Sequence, residues 1–337
     1  MDFPNKILIV KLGSIGDVVN TLPLVNVLKS ECPEMKLGWL IEPKSYPIVE
    51  GHRLVDRFII YQRGSGIAAA RRVLEEIRAF KPDLVIDLQR ILRSSFFTAF
   101  SGCRRRLGFD QKRCKEFSWL FTNRKIPPRD PSRHMVLQYL EFAGYLGLSY
   151  GDIHFSLSIS DHDREVAERL LPGSFIDEGF VVLNIGAAKP ANRWPENRWV
   201  ELSGLVLERT KFALILTGGP QDTALGRSIA ELVRNDRMLN CTGRTSLKQL
   251  GGLFLMAHAV VSGDTGPMHI ASALGTRTIG LFGAADPSRT GPFRHRDLVV
   301  SAGVACAPCG KRSCRSMRCM DEITAEMVFK KFSGQKN

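Results

Sequence analysis

The chain has 337 residues, 44% hydrophobic and 24% charged, which is the profile of a folded globular protein rather than a disordered or fibrous one. Its length exceeds one ordinary domain, so two domains of roughly 150 residues each are expected. Lys and Arg number 47 against 34 Asp and Glu, a net charge of +13, so a polyanionic partner is implied. Nucleic acid, anionic membrane and phosphorylated substrate all fit, because net charge reports attraction and not chemistry. The N-terminal stretch has no signal-peptide core and no apolar run approaches ~18 residues, so the expectation is a cytoplasmic protein without a membrane span. In that reducing compartment the eight cysteines are read first as thiols.

Lys6-Ile7-Leu8-Ile9-Val10 is a nearly continuous apolar run, as a parallel strand buried on both faces requires. Gly13-Ser14-Ile15-Gly16-Asp17 follows as a glycine turn, and Val18, Leu22, Leu24, Val25 and Leu28 then fall at helical spacing. Apolar runs at 37–41, 57–61 and 84–88 alternate with helical patterns at 67–80 and 135–146, which is β/α alternation. A second series starts at Phe180-Val181-Val182-Leu183-Asn184 and continues with strands at 212–217, 259–262 and 278–282. Helical patterns at 199–208, 222–233 and 246–256 lie between them. The segment 149–179, with one helix pattern at 161–171, reads as the junction of two tandem parallel α/β units, and a cleft is expected there.

In parallel sheets, ligands gather at the carboxyl ends of strands, where helix N-termini present unpaired N–H groups. Val260 to His269 reads as strand, sharp turn and helix start, with Pro267 at the first helical position. There Asp264, Thr265, Gly266 and His269 would form a diphosphate cradle. The plainer alternative is that Asp264 only caps the helix and His269 is packed. Two further loops end strands of the same unit, one with Gly186 and Lys189 and one with Gly218 and Gly219, and no Walker-type ending is present. In the first half, Asp17 at the helix mouth is either a cap or a general base for an acceptor hydroxyl, and spacing leaves both open.

Together these features resemble glycosyltransferase family 9, the ADP-heptose:lipopolysaccharide heptosyltransferases. The resemblance rests on Ile9-Val10-Lys11-Leu12-Gly13-Ser14-Ile15-Gly16-Asp17-Val18, Arg193-Trp194-Pro195-Glu196 with Trp199, Gly263 through His269, and Gly283 through Pro292. It implies a GT-B architecture, two Rossmann-like domains whose parallel sheets face a central cleft. The expected division is 1–158 for the acceptor, 175–320 for the nucleotide sugar, and a C-terminal helix in 321–337 packing back on the first domain. It also implies an inverting, metal-independent transfer of heptose from ADP-heptose to the Kdo residue or first heptose of the lipopolysaccharide inner core. Asp17 becomes the base. Asp264 contacts the sugar, while Gly186, Lys189, Arg193, Gly218, Thr265, Gly266 and His269 hold the donor. Ser14, Gly16, Arg63, Arg90 and Arg93 serve an acceptor rich in phosphates and carboxylates, and the cluster Arg104-Arg105-Arg106 joins the same basic surface. Many relatives carry a lysine two residues before the Trp-Pro pair; here Asn192 stands there, and Lys189 or Arg193 is the expected substitute.

Cys306, Cys309, Cys314 and Cys319, spaced C-x2-C-x4-C-x4-C, suit a structural zinc clip, but the usual paired C-x2-C arrangement is absent and free thiols are the favoured reading. No cofactor is required beyond the ADP-heptose substrate. The partners expected are the nucleotide sugar, a lipid A–Kdo or heptosylated acceptor and the anionic inner-membrane surface, with the protein peripheral on its cytoplasmic side and no nucleic acid bound. The competing readings are transfer of another nucleotide-activated sugar to a surface glycan and, in a different class, a nucleic-acid-binding protein with a Cys-rich metal module.

Overall fold

The computed structural model describes residues 3–334. The chain divides into two compact units that meet at Ser158 and Ile159. In the first, β1 (Lys6–Val10), α1 (Ile15–Glu31), β2 (Lys36–Ile41), β3 (Arg57–Ile60), α2 (Gly66–Phe80), β4 (Leu84–Asp87) and α3 (Leu92–Ala99) follow in order. Then come β5 (Arg106–Gly108), a 3-10 turn at Ser118–Phe121, β6 (Arg124–Lys125) and α4 (Met135–Tyr145). All strands are parallel, in the order β3-β2-β1-β4-β5-β6. The order reverses at β1, so the loops after β1 and β4 diverge and leave a crevice between them at their carboxyl ends.

The second unit repeats the plan with α5 (Asp161–Glu168), α6 (Gly173–Glu178), β7 (Phe180–Asn184), α7 (Glu196–Arg209), β8 (Ala213–Thr217), α8 (Thr223–Val233), β9 (Met238–Asn240) and α9 (Leu247–Met256). It closes with β10 (Ala259–Gly263), α10 (Gly266–Leu274), β11 (Thr278–Leu281), α11 (Pro287–Thr290), β12 (Val299–Val300), α12 (Arg318–Asp321) and α13 (Ala325–Ser333). Its parallel sheet runs β12-β11-β10-β7-β8-β9. The central strands β1, β7, β8 and β10 are buried along almost their whole length, which is why they read as unbroken apolar runs.

The boundary between the units falls inside the segment 149–179 expected as their junction, and there α5 packs on α9, where Gly251 and Gly252 lack the Cβ that would strike Ile159 and the backbone at Asp163. One assignment differs from the sequence expectation. The C-terminal helix, expected on the first domain, is built into the second unit. Val328, Phe329 and Phe332 of α13 join Trp199, Leu202 and Val206 of α7 in one core, and the Trp194 indole N–H donates to the Ile323 carbonyl at 2.9 Å. Residues 335–337 of that expectation lie outside the described residues. Among the described residues, no helix is long and apolar enough to cross a membrane.

Candidate functional site

In the first unit the chain leaves β1 through Lys11, whose side chain is only 2% exposed, and its ammonium lies 3.1 Å from Asp17 Oδ2. The Tyr139 hydroxyl donates to Asp17 Oδ1 at 3.3 Å, and the Lys11 ammonium sits 5.4 Å from the Tyr139 ring centroid. Burial pulls the Lys11 ammonium below the usual lysine range; the Asp17 charge opposes that shift and Arg90 adds to it. Ser14 occupies the N-cap of α1 and Asp17 the third helical position, so the capping alternative for Asp17 does not describe its place. Asp17 keeps 33% of its side chain exposed. A carboxylate oriented by a buried cation and a phenol, with one flank open, has the form of a general base.

The neighbouring loops brace this position. Gln89 Oε1 accepts the N–H groups of Leu12 at 3.1 Å and Gly13 at 3.4 Å. Buried Asp87 accepts from the Gln89 and Arg90 amides and from the Ser94 and Thr98 hydroxyls. Arg90 takes a left-handed backbone, φ 66°, and lays its guanidinium 4.9 Å from the Phe109 centroid. Arg93 Nη1 lies 3.4 Å from Glu42 Oε1, beside Gly13. The carboxyl ends of β1, β2 and β4 therefore gather Asp17, Arg90, Arg93 and Glu42. Ser14 is exposed in the same turn, whereas Gly16 is buried under it. Arg63 stands exposed after β3.

The Arg104-Arg105-Arg106 cluster has a different role. It leads into β5, of which Arg106 is the first residue, at the amino edge of the sheet, where Arg105 Nε donates to the Asp83 carbonyl at 3.0 Å and Arg106 Nε to the Phe121 carbonyl at 3.1 Å. Arg105 and Arg106 tie loops together at the end of the sheet away from the crevice.

In the second unit, the turn after β10 places Asp264 at the centre. The Asn192 amide donates to Asp264 Oδ2 at 3.1 Å and to its backbone carbonyl at 3.3 Å; Lys189 Nζ and His269 Nε2 each approach the carboxylate to 3.9 Å. Thr265 caps α10 by position but not by side chain. Its hydroxyl is engaged instead with Ser262 Oγ at 3.0 Å and the Asn184 amide at 3.4 Å, so the N-terminus of this nine-residue helix has no side-chain cap. Asn184, buried at the end of β7, also accepts the Thr217 hydroxyl at 3.4 Å and so stitches the ends of β7, β8 and β10.

Gly186 and Gly218 flank buried Asp222, whose Oδ2 accepts the Gly219 N–H at 2.9 Å and the Gln221 amide at 3.0 Å. Arg193 reaches back to that carboxylate, 3.7 Å from Oδ1, and donates to the Ala187 carbonyl at 3.2 Å. The two cations offered in place of a lysine at Asn192 thus part company: Lys189 turns to Asp264, Arg193 to Asp222. Asn192 itself holds Asp264 in place.

Sequence reasoning did not single out Lys11 for chemistry, nor Tyr139, Asn184 or Asp222. Three left a trace: a lysine directly after an apolar strand, an asparagine closing one, and an aspartate just past Gly-Gly-Pro. Their partners are 122 positions away for Tyr139 and 78 to 81 for Asn184, beyond any local pattern.

The cysteine segment lies against the loops after β7 and β11, with the Ala191 N–H donating to the Arg312 carbonyl at 3.1 Å and the Gly310 N–H to the Ala284 carbonyl at 2.7 Å. Cys306 and Cys309 are exposed and Cys319 is buried. A hydrogen bond with Ser316, followed by the Met317 and Ser316 amides, lowers the Cys314 thiol to about 7. Burial, then its three cysteine neighbours, raises the Cys319 thiol. Among the described residues, no group of three or more His, Cys, Asp or Glu side chains is arranged to hold a metal ion.

Comparison with known proteins matches residues 70–319 to glycosyltransferase family 9 (heptosyltransferase). The chain is 27% identical over 305 residues to the lipopolysaccharide core heptosyltransferase OpsX of Haemophilus influenzae, covering 88% of this chain and 84% of that one. It is also 27% identical over 308 residues to lipopolysaccharide heptosyltransferase 1 of Escherichia coli K12, covering 88% and 93%. Among solved structures, a family 9 glycosyl transferase from Veillonella parvula superposes with a TM-score of 0.84 at 22% identity, covering 99% and 98% of the two chains. The E. coli heptosyltransferase WaaC with ADP gives 0.77 at 26% identity, covering 98% and 100%.

Proposed function

The chain belongs to glycosyltransferase family 9 (heptosyltransferase), and from that premise we propose that it moves heptose from ADP-heptose to the lipopolysaccharide inner core, with a Kdo residue or the first heptose as acceptor. The relatives named for lipopolysaccharide heptosyl transfer and the WaaC structure with ADP support this donor and acceptor. The observation that carries the reading is the pairing of chemistries, an oriented carboxylate at Asp17 in one unit and an anion cradle around Asp264 in the other.

Asp17 takes the proton of the acceptor hydroxyl as its oxygen bonds to the anomeric carbon. The bond from that carbon to the donor phosphate breaks in the same displacement, which inverts the configuration. Negative charge grows on the departing ADP, and Gly266, the first-turn amides of α10 and Lys189 offset it. Preorganised donors of this kind lower a barrier by several kcal/mol, so the transfer proceeds without a catalytic metal. Asp264, steadied by Asn192, meets the sugar hydroxyls, and His269 adds a donor beside it. Arg63, Arg90 and Arg93 receive the acceptor's phosphates and carboxylates. The acceptor is anchored in the inner leaflet, so the enzyme works as a peripheral protein on an anionic surface, which its excess of basic residues suits.

The test is to incubate the purified protein with ADP-heptose and heptose-free lipid A–Kdo acceptor, follow one added heptosyl unit by mass, and read the new anomeric configuration by NMR. A retained configuration would refute the single displacement. Transfer only from a different nucleotide sugar would favour the other donor.

A further inference from the structure

The first unit carries an apolar face that its own core does not use. Leu92 and Phe96 of α3 and its C-cap Phe100 are all exposed and recur every four residues, so they share one side of the helix. The Ser118–Phe121 turn packs alongside, joined by the Ser95 hydroxyl, which donates to the Ser118 carbonyl at 3.2 Å, and by the Leu92 N–H, which donates to Glu116 at 3.1 Å. That turn and its N-cap add Leu120, 60% exposed, and Phe117, 71% exposed. Glu116 and Phe117 adopt consecutive left-handed conformations, φ 53° and 56°, which disfavour non-glycine residues, and the second of them holds the most exposed phenylalanine in this patch. Large apolar side chains gathered on a surface in this way mark an interaction site.

The rim is basic. Lys112 and Lys115 are exposed in the segment leading to Phe117, and exposed Lys125 stands 5.9 Å from the Trp119 ring within the same turn. The face also begins at the acceptor loops, because Arg93, one residue past Leu92, reaches Glu42 beside Gly13. Aromatic and aliphatic side chains ringed by lysines suit the boundary of an anionic bilayer, where rings sink to headgroup level and ammonium groups meet lipid phosphates.

We propose that α3 and the Ser118–Phe121 turn form the membrane-docking face of this enzyme, seating Phe96, Phe100, Phe117 and Leu120 in an anionic phospholipid leaflet with Lys112, Lys115 and Lys125 on the headgroups. This deepens the proposed transfer, giving a membrane-anchored acceptor a surface beside the loops that receive it. The protein would present its acceptor loops to the leaflet in a fixed orientation.

Co-sedimentation of the full chain with phosphatidylcholine vesicles, and with vesicles enriched in phosphatidylglycerol, tests this without any sugar donor. Binding to the anionic vesicles that weakens with salt is expected, and Phe117→Ser with Leu120→Ser should reduce it by about tenfold or more. The same variant should keep the wild-type unfolding midpoint and transfer at the wild-type rate to an acceptor stripped of its acyl chains. If that variant misfolds, Lys112→Glu with Lys115→Glu serves instead, with the same expected loss on anionic vesicles. Wild-type protein that ignores both vesicles, or variants that bind as the wild type does, would overturn the proposal. So would a variant that dissociates a dimer in sedimentation velocity while vesicle binding persists, which would make the face an interface between copies. Because vesicle binding is read without donor, failure of heptosyl transfer and failure of docking are separate results.

Discussion

Gly263→Ala probes how tightly the donor loops are fitted. A Cβ at Gly263 would lie 2.9 Å from the Asn192 backbone carbonyl, against an ordinary contact of 3.4 Å or more, so the loop must retreat by about 0.5 Å. The Asn192 amide then leaves Asp264 Oδ2, now 3.1 Å away, for about 3.6 Å, beyond hydrogen-bond range. Overpacking costs about 1–3 kcal/mol and a lost bond to a charged group about 1.5–3 kcal/mol, so the sum after partial relaxation is about 2–4 kcal/mol. Gly204, inside α7 with open space around its missing Cβ, is the control: Gly204→Ala should stabilise by about 0.5–1 kcal/mol through helix propensity alone. Urea midpoints give both numbers, and the thermal shift with ADP reports the donor loop. Gly263→Ala should lower the midpoint and weaken the ADP shift. A Gly263→Ala protein as stable and as responsive to ADP as wild type would refute the packing argument.

Lys11→Met should lower kcat by about ten- to hundredfold with little change in donor KM, because it loosens the base without touching the donor cradle; steady-state kinetics decides this, and an unchanged kcat would free Asp17 from dependence on Lys11. Burial raises the Asp87 carboxyl above 3.8, outweighing its four hydrogen bonds. The native state then holds a proton that the unfolded state has released, so wild-type stability falls as pH rises from 3.8 to the raised value, by at most about 1.4 kcal/mol per pH unit, and stays lowered above it. Asp87→Asn should lack that slope when urea midpoints are compared from acidic to neutral pH; parallel profiles would contradict the assignment. Arg93→Ala should raise the acceptor KM about tenfold, whereas Arg105→Ala, at the far edge of the sheet, should leave it unchanged, and equal effects would undo the distinction between the two clusters.

The α/β plan was legible because β1, β7, β8, β10 and β11 are buried almost throughout and so spell out apolar runs, while α1 and α8 show helical spacing. The short strands β5, β6 and β9 were not. β5 and β6 begin with Arg106 and Arg124, span three residues and two, and leave no run to read. The glycine loops after β7, β8 and β10 were legible, yet Asp222 filling the space between Gly186 and Gly218 is a three-dimensional fact that no spacing announces. Asp17 could be read as cap or base, and Lys11 and Tyr139 set its partners only once folding brings α4 beside α1. The arginines misled for the opposite reason. Charge alone does not say which end of a sheet it occupies, and Arg104 to Arg106 fall at the wrong one.

The most direct measurement of the central claim is single-turnover transfer from ADP-heptose to a lipid A–Kdo acceptor by wild-type protein and Asp17→Ala, with ADP-heptose affinity measured alongside. The account predicts heptosyl transfer by the wild type, a loss of about 10²–10⁴ in the chemical step for Asp17→Ala, and unchanged donor affinity. Transfer that survives nearly intact without the Asp17 carboxylate would contradict it.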